Sequence, residues 1–162
     1  MESNPKRIAL SQIIEPGSIE LNLKGDDREA VLKELVGYVR ELRDLPNAQQ
    51  SLLEALKERE SLHSTGIGDG IALPHARTAL VGLVEKPVVV VGRHHAGIHY
   101  GSIDDKPVHL FFLLIAPTVT QHLGIIARIS RTLRNQKFRA ALLEVHSPEE
   151  MIELFRQIEL EK

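Results

Sequence analysis

The sequence predicts an α/β fold: a mixed β-sheet flanked by helices on both faces. Two apolar runs, Val88–Val91 and Val108–Ala116, read as strands buried on both sides. Around them lie segments whose apolar residues recur three and four apart, the period of an amphipathic helix. These segments interleave without a strict strand–helix–strand alternation, which points to a sheet with both parallel and antiparallel pairs.

Taken in order, residues 8–10 and 19–23 read as short extended pieces, the second alternating apolar and polar. Asp26-Asp27-Arg28-Glu29 opens a helix, with acids in the first turn where the dipole favours them. Val31, Leu35, Val39 and Leu42 give it a continuous apolar stripe. Pro46 breaks the chain, and Asn47 with Gln50 forms a capping-box pattern for a second helix. That helix is expected to bury Leu52, Leu53 and Leu56 and to end near Arg59-Glu60. Ile71–Leu73 is a short strand after a glycine-rich loop, and Gly97–Lys106 is a turn-rich connection between the two long strands. Pro117 stops the second of these. A helix from about Thr120 to Arg134 is expected to turn Leu123, Ile126, Ile129 and Leu133 to the core. A short helix spans Phe138–Leu143. Ser147-Pro148-Glu149-Glu150 then starts a last helix carrying Met151, Leu154 and Ile158.

The length of 162 residues fits one domain, expected over 1–162 with residues 1–7 as a disordered tail. Hydrophobic residues make up 43%, enough to build a core without disulfides or metal. No cysteine is present, which excludes thiolate, iron–sulfur and zinc–cysteine chemistry and fits a reducing compartment. A net charge of −2 gives no footprint for nucleic acid. The start, Met1-Glu2-Ser3-Asn4-Pro5-Lys6-Arg7, lacks the apolar run of a signal peptide, and no stretch is long enough to span a bilayer. The expectation is a cytoplasmic protein without membrane insertion.

The segment Ser64-Thr65-Gly66-Ile67-Gly68-Asp69-Gly70-Ile71-Ala72-Leu73-Pro74-His75 carries the densest functional signal. Glycines let the backbone approach a ligand, and successive N–H groups can line an anion site. Pro74 fixes its own φ and extends Leu73, so His75 leaves a stiff segment. The loop is not a Walker A motif, since no Lys-Ser/Thr follows the glycines. A lone histidine at a strand end is ordinarily inert; one beside such a loop can accept a phosphoryl group. His122 falls in the first turn of a predicted helix, where free N–H groups and the dipole favour an anion. Arg59 ends the preceding helix and offers permanent positive charge, although a surface arginine beside glutamates is the plainer reading of it alone. His94, His95 and His99 lie in a glycine-containing turn without an HExxH pattern, so neither a metal site nor any other cofactor is expected.

These blocks, in order, resemble the enzyme IIA domains of the bacterial phosphoenolpyruvate:sugar phosphotransferase system. The class is the fructose–mannitol one, which includes stand-alone nitrogen-regulatory proteins. The matching pieces are Arg59-Glu60, Ser64 to Gly68, Gly70 to Ala76, Gly97-Ile98, Lys106-Pro107-Val108, Phe112 to Pro117, and His122-Leu123. The resemblance runs from about residue 8 to the C-terminus. It implies that His75 is the phosphorylated residue, that His122 holds phosphoryl oxygens and that Arg59 is a second positive contact. Ser64, Thr65, Gly66 and Gly68 stand as phosphate-binding candidates beside them. It also implies an HPr-like phosphocarrier as donor, and a IIB-type domain or a regulatory target protein downstream. His63 departs from the family pattern, which more often has a small residue there. The absence of a fused transport domain leans toward the regulatory role, a binding module switched by phosphorylation. A metal hydrolase built on His94, His95 and His99 is the reading from another class. Docking is expected around Leu73 and Ala76, with acids near Glu58 and Glu60 meeting a basic carrier.

Overall fold

The computed structural model describes residues 9–77 and 82–161. The expected tail and residue 8 therefore lie outside the described residues. The elements are α1 (Leu10–Ile13), β1 (Ile19–Glu20), α2 (Arg28–Val36), α3 (Pro46–Leu62), β2 (Gly66–Gly68), β3 (Ile71–Ala72), β4 (Val88–Ile98), β5 (Val108–Ile115), α4 (Val119–Thr132), α5 (Gln136–Leu142) and α6 (Pro148–Leu160). The sheet has five strands in the order β1-β4-β5-β3-β2. The β1–β4 and β3–β5 pairs are parallel, while β4–β5 and β2–β3 are antiparallel. It is the mixed sheet that the interleaved pattern predicts.

The side-chain alternation of β4 and β5 divides the core into two layers. Val89 and Val91, with Leu110, Phe112 and Leu114, face the side covered by α4, α5 and α6. Val88 and Val90, with Phe111, Leu113 and Ile115, face α2 and α3. A strand buried on both faces must be apolar at nearly every position, and β5 is. Ile71 and Leu73 join the first layer and Ala72 the second. The same alternation sends His75, which bridges Leu114 in parallel fashion, toward the α4 side.

Several local expectations need correction. Leu10 begins a helix and not a strand, because the Glu159 carboxylate of α6 accepts from the Leu10 and Ser11 N–H groups at its start. The second extended piece is a strand only at Ile19–Glu20. The helix opened by Asp27, whose side chain caps Ala30, stops at Val36 since Gly37 is a poor helix former. Val39 and Leu42 are still buried, but from a turn. Pro46 starts α3 and does not precede a cap, as its missing N–H costs nothing at the first position; α3 then continues to Leu62. Gly66–Gly68 is a strand. β4 runs through the expected turn to Ile98, with an irregularity between Arg93 and Ile98. Gly97 has φ +79 there, and a Cβ on it would sit 2.6 Å from the His109 ring. On α4 the inward stripe is His122, Ile125, Ile129 and Leu133, and Leu123 is 61% exposed. Helix α4 is thus rotated so that His122 takes an inward position.

Arg93 ties together three segments of the first layer. Its buried guanidinium donates to the carbonyls of Leu21, Leu142 and Val145 at 3.2, 3.2 and 2.9 Å, satisfying chain ends beside α5. Phe155 is fully buried, edge-on to Phe138 and Phe112 with centroids 4.9 and 6.1 Å away. Replacing Phe155 with alanine is expected to cost about 3–5 kcal/mol in chemical denaturation, the range for a buried aromatic lost from a rigid core.

Candidate functional site

Two helices and one strand end converge on His75. Its Nδ1 lies 2.6 Å from the Leu73 carbonyl. A carbonyl only accepts, so Nδ1 carries the proton and Nε2 is left as the lone-pair nitrogen. The expected backbone acceptor is therefore the carbonyl two residues upstream, presented by the extended Leu73-Pro74 segment. Helix α4 sets His122 beside it, ring centroids 5.4 Å apart at 65°. His122 is 5% exposed, and its Nδ1 has no partner among the described residues. A buried polar atom left unpaired is costly, and such atoms mark places that a ligand completes. From the other layer, α3 brings Arg59 to the rim of the site, where it donates to the His63 carbonyl.

Electrostatics favour an uncharged His75. Burial pushes its proton affinity down; the Leu73 carbonyl opposes this, the Arg59 charge adds to it, and Glu60 opposes it. His122 is pushed down too, by burial and then by His75. Two imidazoles and an arginine thus share one end of the sheet, with Nε2 of His75 as the unprotonated ring nitrogen.

The glycine-rich block plays a different geometric part from an open cradle. It is a hairpin clasped by the β4–β5 connection. A Cβ on Gly66 would strike the Ser102 hydroxyl and lie 3.0 Å from Ser102 Cα. Gly68, at φ +97, packs on Asp104 and Ile103. The Ile103 N–H donates to Gly66 O, and Asp69 N–H to the Asp104 carboxylate. The Gly66 N–H is held by Ser64 Oγ at 3.0 Å, and Ser64 Oγ donates to Tyr100 O. Thr65 is buried, with its N–H and hydroxyl both on Glu60. The structure thus sets His122 beside the His75 ring and brings the Arg59 charge near enough to act on it, while Ser64, Thr65 and Gly66 bond within the protein.

Sequence reasoning missed Glu60 and Tyr100. Glu60 is 5% exposed and accepts from Thr65 and from Tyr100 Oη at 2.8 Å. Its signal was present: Leu52, Leu56 and Glu60 stand four apart, on the buried stripe of α3. The docking expectation also needs correction. Leu73 and Ala76 are 4% and 3% exposed, and Glu60 is inside, so none of them faces a partner. Val119 and Leu123 are the exposed apolar residues flanking His122, at 60% and 61%. His94 donates through Nε2 to Gly25 O and accepts at Nδ1 from the Gly97 N–H, so both nitrogens are used. Among the described residues no group of three metal-ligating side chains comes together, and no helix is long and apolar enough to cross a membrane.

The neutral form of His75 should persist below the ordinary histidine midpoint. NMR titration is expected to give a midpoint below 6.5. Arg59→Ala should raise that midpoint, because Arg59 is the positive charge opposing protonation, whereas Glu60 and the Leu73 carbonyl favour it and His122 is itself depressed toward neutrality. Gly66→Ala should destabilise the hairpin through its collision with Ser102.

Comparison with known proteins identifies the family and the fold. Residues 12–158 match the family described as "Phosphoenolpyruvate-dependent sugar phosphotransferase system, EIIA 2". The chain is 35% identical over 150 residues to the PTS system fructose-specific EIIABC component of Bacillus subtilis, covering 91% of this chain and 23% of that protein's length. It is 33% identical over 150 residues to the nitrogen regulatory protein of Pseudomonas aeruginosa, covering 91% of this chain and 94% of that one. The crystal structure of nitrogen regulatory protein IIA-Ntr from Neisseria meningitidis superposes with a TM-score of 0.80 at 26% identity, over 90% of this chain and 98% of that one. The IIA mannitol structure from Escherichia coli, at 23% identity and TM-score 0.73 over 87% of this chain and 97% of that one, shares the fold. The chain belongs to the EIIA type 2 family of the phosphoenolpyruvate-dependent sugar phosphotransferase system.

Proposed function

We propose that this protein, acting as one IIA unit, accepts a phosphoryl group on Nε2 of His75 from a phosphohistidine on an HPr-like carrier. It passes the group to a IIB-type domain or holds it as a regulatory signal. The observation that carries this reading is the Leu73 carbonyl on Nδ1 of His75, which leaves Nε2 as the nucleophile. The Nε2 lone pair forms the new N–P bond as the donor nitrogen takes back the electrons of the old one. Positive charge that builds on the ring is met by the Leu73 carbonyl through the Nδ1 proton. Negative charge on the equatorial oxygens is met by Arg59 and His122. Donor and acceptor are both nitrogen, so the residues in place supply what the transfer needs. Ser64, Thr65, Gly66 and Gly68 support the reading as the frame of the site. Val119 and Leu123 provide an apolar contact for the carrier beside His122.

A second reading, a binding module controlled by the phosphorylation state, is favoured by the relative named nitrogen regulatory protein. There the added charge at His75 makes or blocks a contact with a target protein. A solved complex of enzyme IIAMTL with phosphorylated enzyme IIBMTL shares this fold at 21% identity, and supports a IIB-type acceptor by analogy. Comparing target capture by the phosphorylated and unphosphorylated protein separates a switch from a relay.

Incubation with a labelled phosphocarrier is expected to label the wild type and leave His75→Ala unlabelled; undiminished labelling of that variant ends the proposal. His122→Ala and Arg59→Ala should each slow uptake by about 10²–10³, the scale for losing one stabiliser of transition-state charge, with the fold intact by circular dichroism.

A further inference from the structure

We infer that Glu60 is a positioning residue for the reaction at His75, acting through a continuous hydrogen-bond path from its carboxylate to the reacting ring. This rests on the phosphoryl transfer proposed above. The path runs through two residues. Thr65 donates its N–H to Glu60 at 3.0 Å and its hydroxyl to the other carboxylate oxygen. The Thr65 carbonyl accepts the Leu73 N–H at 3.0 Å. The Leu73 carbonyl accepts the His75 Nδ1–H at 2.6 Å. Every link uses a backbone group of Thr65 or Leu73, and Pro74 stiffens the last one. The orientation of the ring, and the nitrogen it leaves free, therefore trace back to the end of α3.

The setting of Glu60 argues against an incidental tie. It is 5% exposed and enters none of the ion pairs among the described residues. It lies in the last turn of α3, where the helix dipole is unfavourable to a carboxylate. A negative charge near an incoming phosphoryl group is also adverse. What compensates is three donors on two oxygens: the Thr65 N–H, the Thr65 hydroxyl and Tyr100 Oη. An amide in this place would keep one acceptor oxygen and turn an NH2 group toward donors. Tyr100 reinforces the arrangement from the β4–β5 connection. Its hydroxyl reaches Glu60, and its carbonyl receives Ser64 Oγ, so one residue grips both sides of the 64–65 peptide. The ring is 1% exposed and edge-on to Phe111 at 5.6 Å, which fixes that grip.

The test is single-turnover phosphoryl uptake from a phosphorylated carrier, at varied carrier concentration, by wild type, Glu60→Gln and Tyr100→Phe. It is paired with 15N NMR of the His75 ring and with thermal unfolding. In folded Glu60→Gln the maximal rate should fall about tenfold or more while the half-saturating carrier concentration changes by less than about twofold. The His75 ring should change from one tautomer to a mixture. Tyr100→Phe, which deletes one donor and keeps the ring, should show the same changes to a smaller degree. A folded Glu60→Gln with wild-type rate and a single Nδ1–H tautomer overturns the inference, as does a loss confined to half-saturation. If Glu60→Gln does not fold, Tyr100→Phe decides: wild-type rate and a single tautomer in it overturn the inference equally. Failure of the relay itself is distinct, since the wild type would then take up no label.

Discussion

The hydrogen bond from Nδ1 of His75 to the carbonyl of Leu73 is the constraint on which the site depends. It selects one tautomer and one ring orientation with an acceptor that cannot itself be titrated away. Because the acceptor is backbone, any side chain at position 73 could present it, provided the segment stays extended. That condition is met from both directions. Pro74 restricts Leu73, and the Leu73 N–H is pinned to Thr65 in the neighbouring hairpin.

Around this bond, the sheet decides which groups can meet. His75 continues the alternation of Ile71 and Leu73, so its ring falls on the layer of α4 and finds His122 there. Arg59 comes from α3 in the opposite layer and reaches the same end of the sheet. The site is thus assembled at the seam between two cores, each closed independently by its own helices. Burial of β4 and β5 on both faces gives the seam a stiff floor. Desolvation at that seam, more than any charged neighbour, keeps the two imidazoles neutral.

Much of this was legible in the sequence where one force dominated. The strands at 88–91 and 108–115 needed nothing beyond apolar continuity, and α6 was announced by Ser147-Pro148. Legibility failed where tertiary contacts overrode local pattern. Leu10 is helical because a carboxylate from α6 caps its helix, an influence from the far end of the chain. Leu123 fits an apolar stripe as well as Ile125 does, but His122 takes the inward direction and turns Leu123 to solvent. The glycines at 66 and 68 read in the sequence as an anion cradle. Their contacts with Ser102 and Asp104, remote in sequence, explain the packing. Glu60 was placed on the surface because a charged residue is normally read so, although its spacing from Leu52 and Leu56 puts it inside.

The Leu73 carbonyl, by holding the Nδ1 proton, leaves Nε2 of His75 as the ring nitrogen with a lone pair for phosphorus. Phosphorylated protein, labelled with 15N in its histidines, tests it through phosphorus–nitrogen coupling. One phosphohistidine is expected, at residue 75, with phosphorus on Nε2 and a proton retained on Nδ1. Phosphorus on Nδ1, or on another histidine, would contradict it.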